Sequence, residues 1–408
     1  MLSAPPAART ASVRTRFLLL CGATFFHFLA MGIFLSGLPL FVSRELNGSK
    51  AAVGLAVGAF SITAVFSRPF VGRRMDAVGR AWFLRGAPVL IAGSAVGLLY
   101  ADSLWAVVVL RLVQGLAGSS FYTAAATVAT DLAPLAQRAD YISRFSLFLY
   151  AGFAAGPALG EFLIESQSYA WAWWAAVASS AVALAISFAV AETRPERILD
   201  PDAPARPRRW VHPAALGPGL VLLTIAVGYT AISSFTPLYA RSIGMGSSGG
   251  LYATFAMTIL VVRLISGRLA DRFGRAAVAF PGLVSGAAGM FLLAAVPRPT
   301  ATFVGVALFG AGHALIFPAL MALTVDRVSD DERGEALGSF TACFDVGAST
   351  GGYLVGFVAD AAGFGAAWAT PGLLCILGMV ALAFVARRER IDPSRPPRSE
   401  PDLEPANT

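Results

Sequence analysis

Six ionisable side chains stand within or at the ends of long apolar runs of this 408-residue chain: Arg111, Asp345, His27, His313, Glu161 and Glu165. An arginine at the centre of a membrane helix costs roughly 2.5–3.5 kcal/mol on insertion scales, so Arg111 is expected to face a protein interior and not lipid. Helical spacing puts Gln114, Gly115 and Gly118 on its side. The alternative is an arginine snorkelling to the surface. Asp345 carries Thr341, Ser349 and Gly352 on its face and is the best-placed protonatable carboxylate. A buried carboxylate favours its neutral form unless a cation is near, so switching its access between two sides would load and release a proton. The competing reading is a hydrogen-bonded structural aspartate. His27 and His313 titrate in the useful range, but a lone buried histidine more often packs than couples. Glu161 and Glu165 fall at the end of their run, where water reaches them.

The elements that must hold these groups follow from composition. Hydrophobic residues make up 56% and charged residues 13%, a balance foreign to soluble domains. A bilayer span needs about 20 apolar residues, and twelve segments qualify: 17–42, 51–71, 82–100, 104–130, 141–164, 170–190, 215–240, 249–270, 277–296, 300–325, 336–359 and 366–386. The expected fold is an all-α membrane protein. Arg9, Arg14 and Arg16 precede the first run as in a signal peptide, yet that run is too long and eleven more follow. Basic residues mark cytoplasmic loops. With both termini inside, all of the 31 Lys and Arg fall on the cytoplasmic side except Arg44, Lys50, Arg241, Arg298 and the in-span Arg111. The net charge of +7 is therefore a topology signal, not a nucleic-acid one.

Residues 1–16 form a cytoplasmic N-terminus, 17–191 a first helical unit, 192–213 a linker rich in Pro, Arg and acidic residues, 214–386 a second unit and 387–408 a cytoplasmic tail. Cys21, Cys343 and Cys375 lie in apolar runs without metal-ligand spacing, and no cofactor or metal site is expected. GxxxxGK[ST] and HExxH patterns do not occur. An enzyme is not expected, and the absence of the nucleotide motif argues against ATP as the driving force.

Sliding the chain on itself by 195 positions pairs Arg68 with Arg263, Gly72 with Gly267, Asp76 with Asp271, Gly79 with Gly274 and Arg80 with Arg275. The same offset pairs Gly115 with Gly310, Asp131 with Asp326, Arg138 with Arg333, Gly152 with Gly347 and Gly156 with Gly351. A duplicated six-span unit in one orientation predicts two bundles related by a pseudo-two-fold axis along the membrane normal, with a site between them near the midplane.

The paired loops GRRMDAVGR (Gly72–Arg80) and GRLADRFGR (Gly267–Arg275) resemble the loop signature of the major facilitator superfamily, the first copy having Arg74 and Met75 where a leucine and a small residue are usual. The resemblance covers about residues 15–386. It implies conformational latches built from Gly72, Asp76, Gly79, Arg80, Gly267, Asp271, Gly274 and Arg275, with Asp76 facing the start of span eleven and Asp271 that of span five. Arg111–Gly115 resembles the family's span-four signature, linked to proton coupling. Gly152, Gly156, Pro157 and Gly160 resemble its antiporter signature in span five. Spans lining the family's cavity carry Phe26, Gln114, Tyr122, Tyr229 and Phe317. The resulting expectation is a monomeric, proton-driven exporter of a small lipophilic drug-like compound or metabolite, with import of a sugar, organic acid or siderophore-like solute as the alternative. Thirty arginines to one lysine suggest a bacterial inner membrane.

Overall fold

The computed structural model describes residues 6–134, 137–193, 211–266, 273–328 and 332–391. Every element among them is a helix: α1 (Pro6–Arg44), α2 (Lys50–Val78), α3 (Ala81–Leu98), α4 (Leu104–Leu132), α5 (Arg138–Ser166), α6 (Tyr169–Ala189), α7 (Pro213–Ser242), α8 (Gly249–Ser266), α9 (Arg275–Ala295), α10 (Pro299–Val325) and α11 (Arg333–Ile391). In hydrocarbon each backbone polar group needs an internal partner, which a helix supplies to all but its ends. The ends are closed locally. Ser49 accepts from the Ala52 amide and Ser103 from the Ala106 amide, and proline at the first turn of α7 and α10 removes a donor that would have no partner.

All eleven helices are long and apolar enough to cross a bilayer. The last contains two spans, because Gly363 (φ 79°, ψ 179°) breaks its helical path in a region that only glycine enters cheaply. Twelve spans result. Gly79 (φ 98°) and Gly274 (φ 91°) turn the chain at repeat-related points, which is why the duplicated loop carries glycine there.

The two six-span bundles repeat the same packing. In the first half α1 packs on α5, and α2 and α3 on α4; in the second α7 packs on α11, and α8 and α9 on α10. Small residues set the spacing. A Cβ at Gly152 or Gly156 would run into α1 around Phe25, Leu29 and Gly32, and one at Gly347 or Gly351 into α7 around Leu223 and Val227. Across the halves α2 meets α11, α5 meets α8 and α1 meets α7. The end bearing the α1–α2 turn is the Asn47 face, and the end bearing the α2–α3 turn is the Gly79 face.

Candidate functional site

A partly enclosed cavity lies between the halves, lined by Tyr150 and Phe153 of α5 and by Tyr229, Ser233, Tyr252 and Phe255 of α7 and α8. Aromatic rings extend it into the second half. His313 stacks on Tyr229 with centroids 5.3 Å apart and lies 6.2 Å from Phe344 and 6.3 Å from Phe255. Its Nδ1 is buried and has no hydrogen-bond partner among the described residues. Arg263 of α8 crosses to the first half, its guanidinium 4.7 Å from the centroid of the Tyr150 ring.

The seam between α2 and α11 is built on glycine. A Cβ at Gly54 would overlap the carbonyl of Gly352, and one at Gly58 would come within 2.9 Å of the carbonyl oxygen of Ser349. Ser349 Oγ donates to the Gly58 carbonyl at 3.2 Å. Asp345 is buried one turn before Ser349, on the same face.

Toward the Asn47 face two carboxylates clasp helix starts of the opposite half. Asp360 of α11 accepts from the Lys50 and Ala51 amides at 2.9 and 2.7 Å, where α2 begins. Glu161 of α5 accepts from the Ser248 amide at 2.7 Å and the Ser248 hydroxyl at 2.8 Å, where α8 begins. An anion at a helix N-terminus meets unpaired amides and the positive end of the dipole. Arg241 adds ion pairs to Glu161 at 3.1 Å and to Glu165, which also binds Arg44. Each clasp is worth about 0.3–1 kcal/mol, or more where buried. Glu161→Gln should therefore raise the ratio of molecules open to those closed at this face roughly two- to fivefold. Electron–electron resonance distances between labels at Gln167 and Gly246 measure that ratio, and an unchanged distribution would show the clasp to be idle.

At the Gly79 face two repeat-related ion pairs each lie within one half. Arg80 Nε lies 3.4 Å from Asp131 Oδ2, and its repeat mate Arg275 lies 3.3 Å from Asp326 Oδ2. Glu192 accepts from the Arg80 and Ala81 amides at 3.0 and 2.9 Å, closing the start of α3. Toward the Asn47 face and in the middle of the bundle, hydrogen bonds and ion pairs join the halves through Asp360, Glu161, Glu165 and Ser349.

The model of the Major Facilitator Superfamily matches residues 20–263 and 246–407. The chain belongs to that superfamily. It is 27% identical over 383 residues to an uncharacterized MFS-type transporter of Salmonella typhimurium, covering 90% of this chain and 95% of the relative. Among solved structures it is similar to the nucleoside transporter NupG, with a TM-score of 0.73 at 15% identity over 91% of this chain and 99% of the other. It is equally similar to a bacterial homolog of the human lysosomal transporter Spinster in an inward-facing and occupied conformation, with TM-score 0.73, 15% identity and coverage of 95% and 98%. It is a multi-pass membrane transporter of small molecules, not an enzyme.

Within this superfamily fold the residues singled out by sequence separate into groups. Arg111 lies inside the first half, its Nε donating to the Ala56 carbonyl at 3.3 Å and its Nη1 to Gln114 Oε1 at 2.7 Å, with the guanidinium 4.9 Å from the Phe60 ring centroid. Gln114 donates onward to Ser94 Oγ at 3.1 Å. Ala56 and Phe60 lie on the opposite side of α2 from Gly54 and Gly58, so α2 stands between Arg111 and α11. The structure does not bring Arg111 and Asp345 together. His27 is fully buried, its ring parallel to Phe121 at 3.9 Å, with neither nitrogen hydrogen-bonded among the described residues.

Of the cavity candidates, Tyr229 lines the cavity. Phe317 packs on Phe340 and Phe344, Tyr122 on Phe145 and Phe26 on Phe25. The span-five signature is a helix contact: Gly152, Gly156 and Gly160 abut α1, and Ser36 Oγ donates to the Pro157 carbonyl at 2.9 Å. Gly267 and Asp271 lie outside the described residues, as do the side-chain surroundings of Gly72 and Asp76. Sequence reading passed over Asp360, Lys50, Arg241 and Arg263. Arg263 had a signal of its own, since it falls within span eight yet was grouped with the loop cations.

Proposed function

We propose that this transporter exports a small lipophilic compound or metabolite in exchange for protons, by alternating access to the cavity between its halves. The observation carrying the reading is the pairing of an aromatic inter-half cavity with a buried carboxylate, Asp345, on the helix face packed against the other half. Opening the Asn47 face changes the surroundings of that carboxylate, which is how a moving seam drives proton uptake and release. Under the positive-inside rule both termini are cytoplasmic and the Asn47 face is periplasmic, so the closed clasps describe a molecule shut to the outside of a bacterial inner membrane. His313, behind Tyr229, is a second protonatable group bordering the cavity. Arg111 acts at one remove by fixing α2. The Asp76 and Asp271 loops supply the opposing latch at the Gly79 face.

The test is uptake of a compound panel into inside-out vesicles with and without an imposed pH gradient. Gradient-dependent uptake that collapses with a protonophore is the expected result. Gradient-driven accumulation in right-side-out vesicles instead would assign import, and gradient-independent uptake would remove the proton.

A further inference from the structure

Arg263 is a cation within span eight that has no acidic partner among the described residues. Its Nε is buried without a hydrogen-bond partner, and its guanidinium makes no hydrogen bond or ion pair with any described residue. What it does have is a ring, Tyr150 from the other half, 4.7 Å from the guanidinium. Arg263 follows Ile259 by one helical turn on the same face, and Ile259 and Tyr150 both line the inter-half cavity. None of the residues lining that cavity is acidic.

The internal repeat sharpens this. The offset that pairs Arg263 with Arg68 also pairs Tyr150 with Asp345. The second copy of the helix therefore has a carboxylate at the level where the first copy has a phenol ring. In the repeat register one pair of positions, Arg68 and Asp345, holds both charges, whereas in the other, Arg263 and Tyr150, an aromatic residue stands in place of the acid. A cation at membrane depth is costly to keep and is retained where it meets a functional anion.

From this we infer that the cavity takes an organic anion: a carboxylate accepted by Arg263, with a flat apolar body lying among Tyr150, Tyr229 and Phe255. The guanidinium fork binds two carboxylate oxygens at once, while the Tyr150 ring beneath it fixes the plane in which the fork is presented. The substrate supplies the carboxylate that the sequence lacks at Tyr150, the repeat counterpart of Asp345. The inference rests on the cavity being the transport site, and it narrows the lipophilic compound to an aromatic carboxylate.

The test reads binding, not transport, so that it stands apart from the proton-coupled reading. Purified protein in nanodiscs is titrated with 2-naphthoate, 2-naphthamide and 2-naphthylamine by microscale thermophoresis. Expected are saturable binding of the naphthoate, at least about tenfold weaker binding of the neutral amide and of the amine, and a comparable loss for the naphthoate in Arg263→Gln. Tyr150→Phe keeps the ring and should stay within about threefold of wild type. Tyr150→Asp restores the acid found in the other copy and should abolish naphthoate binding with Arg263 still in place. Equal affinity for the three probes, no naphthoate binding by the wild type, or unchanged naphthoate binding in Arg263→Gln or Tyr150→Asp overturns the proposal. A protein that binds the naphthoate and shows no gradient-dependent transport keeps this inference and sinks the exporter reading.

Discussion

Asp345→Asn should abolish proton-driven accumulation while leaving substrate exchange across the membrane intact. Asparagine copies the protonated carboxyl in size and in hydrogen bonding but cannot release a proton, so the variant is held in the loaded state. One pH unit is worth about 1.4 kcal/mol, which for one proton per substrate supports roughly tenfold accumulation. In proteoliposomes carrying a substrate found in the vesicle screen, the wild type should approach that ratio and the variant should fall to about one. Counterflow exchange, which needs the conformational cycle but no net proton movement, should persist. Accumulation at the wild-type level in Asp345→Asn would move the proton site elsewhere, with His313 next, because its ring touches the cavity through Tyr229, and His27 after it, sealed against Phe121 in the first half.

Much of this architecture is legible in the chain because the bilayer imposes a length on every element and the duplication states each feature twice. The apolar runs locate the spans, and Gly79 and Gly274 recur at the repeat offset because both need positive φ. The pairing of Asp131 with Asp326 in that register anticipates two equivalent ion pairs, to Arg80 and to Arg275. The parts that stay hidden depend on contacts between distant segments. Lys50 and the Asp360 that accepts from its amide are 310 positions apart, and no local pattern announces that α11 reaches the start of α2. Arg111 shows the limit most clearly. Helical spacing correctly groups it with Gln114 and Gly115, yet the side of the helix they share is filled by Phe60 and Thr63 of α2, and which neighbour fills a polar stripe is a tertiary fact. Arg263 was hidden by its company, since four arginines within thirteen residues look like one loop cluster until the helix is seen to carry the first of them.

Two glycines of α2 and α4 make the same steric demand and should fail in different ways. At Gly54 a Cβ would overlap the Gly352 carbonyl of the other half, and at Gly115 it would overlap the Phe60 carbonyl within the same half. Overpacking of such contacts costs about 1–3 kcal/mol. Within one bundle the strain persists in every state of the cycle, so Gly115→Val should lower the melting temperature and the yield of folded protein. Between the halves it exists only while the Asn47 face is closed. Gly54→Val should therefore relieve itself by opening that face, shifting the open-to-closed ratio by about 5- to 150-fold and cutting transport in proportion, with the melting temperature little changed. Labels at Gln167 and Gly246 report the opening, and a thermal melt in the same detergent reports the fold. If Gly54→Val instead melts early with its distance distribution unaltered, the α2–α11 contact is a fixed seam of the structure. Alternating access would then have to pivot on the other inter-half contacts, α5 with α8 and α1 with α7, leaving Asp345 on a surface that does not move.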